Sequence, residues 1–400
     1  MRILQLMNRV PWPLKDGGSL GYFNFTKGYA QAGCEVTVAA LNTSKHFIHP
    51  ETLPSHVQQL AHWHTVYCDN RVKPLDAFVN LFSNQSYNVT RFNVPEYHQL
   101  LKDLLQSQTF DVIIFESLFM APYLKTVKQY SKVPCVLREH NVEYKIWETL
   151  AQTASNPIKK NYLNILAKRL KAYEINMLNQ FDGLTTVTAN DAEQLKAMGC
   201  TKPIEVAPFG IFLQANTFLK QSNNTPKFFH LGSMEWLPNQ HAMEWFLENV
   251  WPILAQKYPH AVFYLAGRGM PSHFKKYANQ QVVITGEVED AGLFMEDKDV
   301  MVVPLFSGSG IRVKILEGMA LQKAVITTSL GVQGIDVEHG KQVLVANDVN
   351  QFIEAAELMM NTNFANQMGQ EAAKLIANQY DINKIVQRLL LYYKHLKANA

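Results

Sequence analysis

The sequence is short of the features that mark chains with special destinations. Its 400 residues include only four cysteines, Cys34, Cys68, Cys135 and Cys200, scattered and mostly set in apolar surroundings. They lack zinc-ligand spacing and read as reduced core residues of a cytosolic chain. No window offers the ~18 uninterrupted apolar residues that a transmembrane helix requires. The opening MRILQLMNRVPWP has one early Arg and an apolar run broken by Asn8, Pro11 and Pro13. That pattern lacks the apolar stretch and cleavage site of a signal peptide, so a cytoplasmic chain is expected. A charge excess is missing too. The 37 Lys and Arg against 34 Asp and Glu leave +3, which gives no electrostatic footprint for nucleic acid. The G-x-G-x-x-G fingerprint is absent, which disfavours a nicotinamide dehydrogenase.

What is present is ample apolar material, 47% of residues, in a chain long enough for two cores. Short apolar runs recur at 34–40, 110–116, 133–139, 183–189 and 203–209, with helical patterns at 19–32, 118–130, 157–180 and 190–198 between them. A polar stretch at 213–227 interrupts, and the alternation then restarts with runs at 228–234, 261–267, 281–288, 300–306, 323–329 and 342–348. Continuous apolar strands alternating with helices imply parallel sheets covered on both faces. Two doubly wound α/β halves follow: residues 1–205, a linker at 206–227, and 228–382. Ligands of such sheets bind outside the carboxyl ends of the strands. The tail 383–400 places Ile385, Val386, Leu389, Leu390, Tyr393 and Leu396 at helical spacing. It is expected to pack back across the first domain.

The strongest chemical signal is PLFSGSGIRVKILEGMA, residues 304–320. A buried strand ends near Leu305, and a helix is expected from about Ser309. Gly308 and Gly310 let backbone amides approach an anion closely, and a helix N-terminus adds free N–H groups. Arg312 and Lys314 would then lie in the first turns, where a cation opposes the helix dipole unless an anion binds nearby. The competing reading is an exposed Lys314–Glu317 pair beside an ordinary glycine turn.

Residues 286–334 around this motif, with LGSMEWLPNQHAMEWFLENVWP (231–252), FYLAGRG (263–269) and REHNVEYKIW (138–147), resemble the family 4 retaining glycosyltransferases. The resemblance implies the GT-B fold: two Rossmann-like domains facing across a crevice, the first binding acceptor and the second nucleotide-sugar donor. It assigns Glu317 to the donor ribose. Gly232 and the turn Gly308-Ser309-Gly310 fall to the donor diphosphate and sugar, and His140 to the transferred sugar. Gly17 and Gly18 become a loop facing the donor phosphate and acceptor. Ser309 stands where the family often has a glutamate, which leaves the donor sugar open. The family's usual basic pair after the second domain's first strand is missing, and Arg312 and Lys314 would supply that charge. His140, Arg312 and Glu317 are the implied catalytic group. The implied activity is a metal-independent hexosyl transfer from a nucleotide diphosphate sugar to a glycan or lipid-linked acceptor, with no cofactor. A nucleotide-sugar epimerase or a non-catalytic sugar-nucleotide-binding subunit are the alternatives.

Arg138, Glu139, His140 and Asn141 crowd the end of a buried strand, and Glu116 ends its neighbour. Glu116 and Asn141 are candidates for binding acceptor hydroxyls, although a helix cap would explain Glu116 equally. Gly17-Gly18 precede a helix expected to open at Ser19. Asp297-Lys298-Asp299 is a D-x-D, but it precedes its strand at the end away from the crevice, so no metal site is assigned. Trp236, Trp245 and Trp251 read as packing residues. The apolar-aromatic run 78–92 reads either as a contact for a lipid-linked acceptor or membrane surface, or as core beneath a long loop.

Overall fold

The computed structural model describes residues 1–14, 17–213, 225–308 and 311–399. The chain divides into two units, Met1–Gly210 with Ile382–Ala400, and Ile211–Asp381.

The first unit holds a parallel sheet of seven strands in the order β3-β2-β1-β4-β5-β6-β7. They are β1 (Arg2–Met7), β2 (Glu35–Thr43), β3 (His62–Cys68), β4 (Val112–Phe115), β5 (Cys135–Glu139), β6 (Gly183–Thr186) and β7 (Ile204–Val206). The winding reverses between β1 and β4, so the carboxyl ends of β1, β4 and β5 bring together the residues that follow them. The central strands are covered on both faces: Val112–Phe115 and Cys135–Glu139 are buried throughout. The edge strand β3 mixes polar with apolar residues and is only half buried, so it carries no continuous apolar run to betray it. The helix Ile382–Ala398 belongs to this unit. It buries Ile385, Val386, Leu389, Tyr393 and Leu396, and the Tyr393 hydroxyl lies 2.9 Å from that of Tyr29.

The second unit holds six parallel strands in the order β10-β9-β8-β11-β12-β13. They are β8 (Lys227–Leu231), β9 (Val262–Ala266), β10 (Val282–Gly286), β11 (Val300–Val303), β12 (Ala324–Thr327) and β13 (Leu344–Val345). Here the winding reverses between β8 and β11. β11 stops at Val303, short of Leu305, because Pro304 has no N–H to continue the ladder. The next helix spans Val313–Ala320 and begins four residues beyond the expected Ser309. Arg312 precedes it with non-helical dihedrals, φ −91° and ψ 81°. The two cations therefore differ in placement: Arg312 caps the helix, and Lys314 lies within its first turn.

Candidate functional site

In the first unit, the strand ends converge on Glu116. This carboxylate is fully buried and accepts a 2.6 Å hydrogen bond from the Gln5 side-chain amide, which in turn accepts from Thr26 at 2.9 Å. Its other oxygen lies 3.8 Å from Nε of Arg138 and 3.7 Å from Nε2 of His140. Burial by itself would raise the Glu116 carboxyl; His140, Arg138 and Gln5 together hold it below its usual value. Arg138 is 2% exposed, and its guanidinium carbon sits 3.3 Å from the centre of the Phe25 ring.

Glu116, expected to bind acceptor hydroxyls, has no exposed surface here and is surrounded by Gln5, Arg138 and His140. His140 follows β5 directly and stands edge-on to Tyr22, with ring centres 5.0 Å apart. Burial lowers its pKa, against the opposing pull of Glu116. Asn141 beside it is exposed. Just beyond it, buried Glu174 accepts the amides of Glu143 at 3.0 Å and Tyr144 at 3.1 Å, capping the helix Glu143–Thr153. Gly17 and Gly18 are the first two residues of the helix Gly17–Gln31, which opens two residues before the expected Ser19. Their amides are thus among the free donors of its first turn.

In the second unit, Lys314 turns away from Glu317 and toward the end of β8. Its Nζ donates to Oδ1 of Asn239 at 2.8 Å and to Nε2 of His230 at 3.2 Å. The other ring nitrogen of His230 donates to the Val302 carbonyl at 2.7 Å, which leaves Nε2 as the acceptor. Burial and the nearby Lys314 hold His230 neutral, well below its usual pKa. Burial, with Arg312 close by, lowers Lys314 to about 7. Gly232 follows β8 at the centre of this cluster. A Cβ there would meet Nζ of Lys314 at 2.8 Å and Asn239 Nδ2 at 3.0 Å, so the ammonium occupies the space a side chain would take.

Arg312 is 5% exposed and donates to the Gly308 carbonyl at 3.2 Å, while its Nε and Nη1 have no hydrogen-bond partner among the described residues. Gly308 has φ +109°, and a Cβ on it would lie 2.6 Å from the Trp236 ring. Trp236 differs from the other two tryptophans. Trp251 is buried among Phe228, Phe246 and Phe263, and Trp245 packs edge-on against Phe306 and Phe352. Trp236 is 37% exposed and lies against the glycine turn, so it is not a core residue. Ser309 and Gly310 lie outside the described residues. Glu317 keeps an exposed surface on the helix Val313–Ala320, and the surrounding protein raises its carboxyl to about 7. The carboxylates of the D-x-D are engaged elsewhere: Asp297 accepts from Lys227 and Lys298, and Asp299 from the Lys227 amide.

The second unit thus places two cations beside a glycine turn, and among the described residues neither forms an ion pair. Lys314 is held by uncharged groups, and two buried donors of Arg312 find no partner among the described residues. Buried donors without partners are costly unless a ligand completes them. An anion with several acceptor oxygens fits that need. Sequence reasoning did not find His230, which sits inside a strand where a polar residue reads as an interruption of the apolar run.

Residues 16–214 match the model "Glycosyltransferase Family 4", and residues 225–362 match "Glycosyl transferases group 1". A Klebsiella pneumoniae relative described as an uncharacterized 44.6 kDa protein in the cps region is 23% identical over 71% of this chain and 74% of its own length. Among solved structures, sucrose-phosphate synthase from Thermosynechococcus elongatus superposes with a TM-score of 0.66 at 14% identity, covering all of both chains. HepE of Anabaena in complex with UDP gives 0.66 at 14% identity over 99% of this chain and all of its own.

Proposed function

We propose that this chain, a glycosyltransferase of the GT-B fold, moves a hexosyl unit from a nucleotide diphosphate sugar to a glycan or lipid-linked acceptor with retention of configuration. One observation carries the assignment of the donor site: Arg312, buried with two donors that find no partner among the described residues, stands beside Lys314 at the Gly308 turn. The HepE structures that hold UDP and UDP-glucose support a nucleotide-sugar donor on this fold.

In the proposed reaction, the bond from the anomeric carbon to the diphosphate oxygen breaks, and the leaving oxygen takes the electron pair. The acceptor hydroxyl forms the new bond to that carbon and releases its proton. Negative charge grows on the diphosphate as the bond lengthens. Arg312, Lys314 and the amides near Gly308 stabilise it in place, which is the electrostatic work that a divalent metal does in other transferases. We assign the ribose to Glu317 and the bound diphosphate to Gly232, whose missing side chain leaves room for the Lys314 ammonium. Gly17 and Gly18 contribute free amides, His140 orients the transferred sugar, and exposed Asn141 meets the acceptor.

The test is incubation with a panel of nucleotide sugars in EDTA, following nucleoside diphosphate release with and without acceptors. Release that depends on acceptor supports the reading. Binding of donors without release by any of them contradicts it, and isomerised donor without release favours an epimerase.

A further inference from the structure

The helix Pro74–Asn80 in the first unit inverts the usual pattern of burial. Leu75, Phe78, Val79 and, in the turn after it, Phe82 are 79%, 60%, 66% and 82% exposed. Only the small Ala77 turns inward, into a minor core with Tyr87, Ala151, Leu163 and Leu166. The exposed residues form one patch, as the edge-on contact of Phe78 with Phe82 shows, their ring centres 5.4 Å apart. The patch is also fixed facing outward. Arg169 donates to the carbonyls of Asn80 and Leu81, each at 2.8 Å, and so ties the end of the helix to the long helix Pro157–Leu178. A contiguous apolar face held in water by hydrogen bonds marks a surface that something covers.

The helix that anchors the patch is basic, and its charge favours one cover. Between Glu148 and Glu174 the sequence carries Lys159, Lys160, Lys168, Arg169 and Lys171 and no acidic residue. Lys159, Lys160 and Lys168 are exposed on the helix against which the patch is anchored. Near the patch itself, Arg71 and Lys73 are paired with Asp69, and Asp76 is the one acid on the short helix. A second copy of the chain would bring the same basic flank against its own, which like-charge repulsion opposes.

We propose that this face docks the protein on an anionic membrane surface. The phenylalanines and Leu75 seat in the headgroup and acyl boundary, while the lysines of the long helix meet the acidic lipid headgroups. Among the described residues no helix is long and apolar enough to cross a membrane, so the association is peripheral.

Sedimentation of the full chain with vesicles tests this without any assay of transfer. The chain is expected to bind phosphatidylcholine vesicles containing a quarter phosphatidylglycerol at least tenfold more strongly than vesicles of phosphatidylcholine alone. A Leu75→Ser, Phe78→Ser, Phe82→Ser variant with an unchanged thermal midpoint is expected to lose at least tenfold of that binding. Lys159→Glu with Lys160→Glu, which disturbs no core residue, is expected to lose several-fold and serves if the first variant misfolds. Three results would overturn the proposal: wild-type protein that stays with neither vesicle, variants that bind as wild type does, or a solution dimer that the serine variant makes monomeric.

Discussion

Nζ of Lys314 lies 3.2 Å from Nε2 of His230, an imidazole atom free to accept because the ring's other nitrogen donates to Val302. A carboxylate in that position would hold the ammonium and cancel its charge. A neutral imidazole holds it and leaves the charge for a ligand. The arrangement fits a site whose anion arrives with the substrate, and its consequences are measurable.

The first concerns pH. Lys314 sits at about 7 in the empty protein, lowered by burial and by Arg312. Below that pH it is charged and ready for a phosphate; above it the proton must be regained on binding. Affinity for a nucleotide sugar, whose phosphodiesters stay ionised throughout, should therefore fall as pH rises from 7 to 9. Stability of the empty protein should respond with the opposite sign. The unfolded chain binds the extra proton between 7 and the ordinary lysine value, so the contribution of this group to folding improves as pH rises through that window. Calorimetric titration and thermal unfolding across pH, compared with Lys314→Met, check both, and both slopes should flatten in the variant.

Gly232→Ala should damage binding while sparing the fold. The added Cβ would come within 2.8 Å of the Lys314 ammonium, the end of a flexible side chain that can swing aside. Loss of that one charge-assisted contact is expected to weaken nucleoside diphosphate binding about tenfold, roughly 1.4 kcal/mol. The thermal midpoint should stay near wild type, and binding calorimetry with an unfolding scan reads both quantities.

Glu116→Gln should show the reverse. The substitution keeps an acceptor for Gln5 but leaves Arg138 buried without its counter-charge 3.8 Å away. Breaking a buried pair from one side costs about 3–5 kcal/mol. A clear fall in the thermal midpoint is expected, and nucleoside diphosphate affinity measured well below that midpoint should change little.

Much of the architecture was legible because buried parallel strands are written as continuous apolar runs. VMVV at β11 and VIIF at β4 cannot be mistaken for surface. β3 escaped because HWHTVYC is an edge strand whose polar residues, His62, His64 and Thr65, break up any apolar run. The boundaries around the glycine turn shifted because Pro304 ends the strand early and Arg312 adopts dihedrals that no helix accepts. The cations at the turn could be read from the tension between their charge and the helix dipole. His230 could not, since nothing in FFHLGS says that the imidazole faces a lysine 84 positions away. The burial of Glu116 was hidden for a related reason. A carboxylate at a strand end looks the same in sequence whether it meets a ligand or, as here, Gln5 and Arg138.

The central claim is that the second unit binds the donor diphosphate through Arg312 while His140 of the first unit serves the transfer step. Titration of a nucleoside diphosphate into wild-type protein, Arg312→Ala and His140→Ala tests it most directly. The account predicts that Arg312→Ala weakens binding by about ten- to a hundredfold, the scale of one or more lost charge-assisted hydrogen bonds. His140→Ala should bind within about twofold of wild type and lose turnover instead. Equal loss of binding in both variants, or full binding by Arg312→Ala, would contradict it.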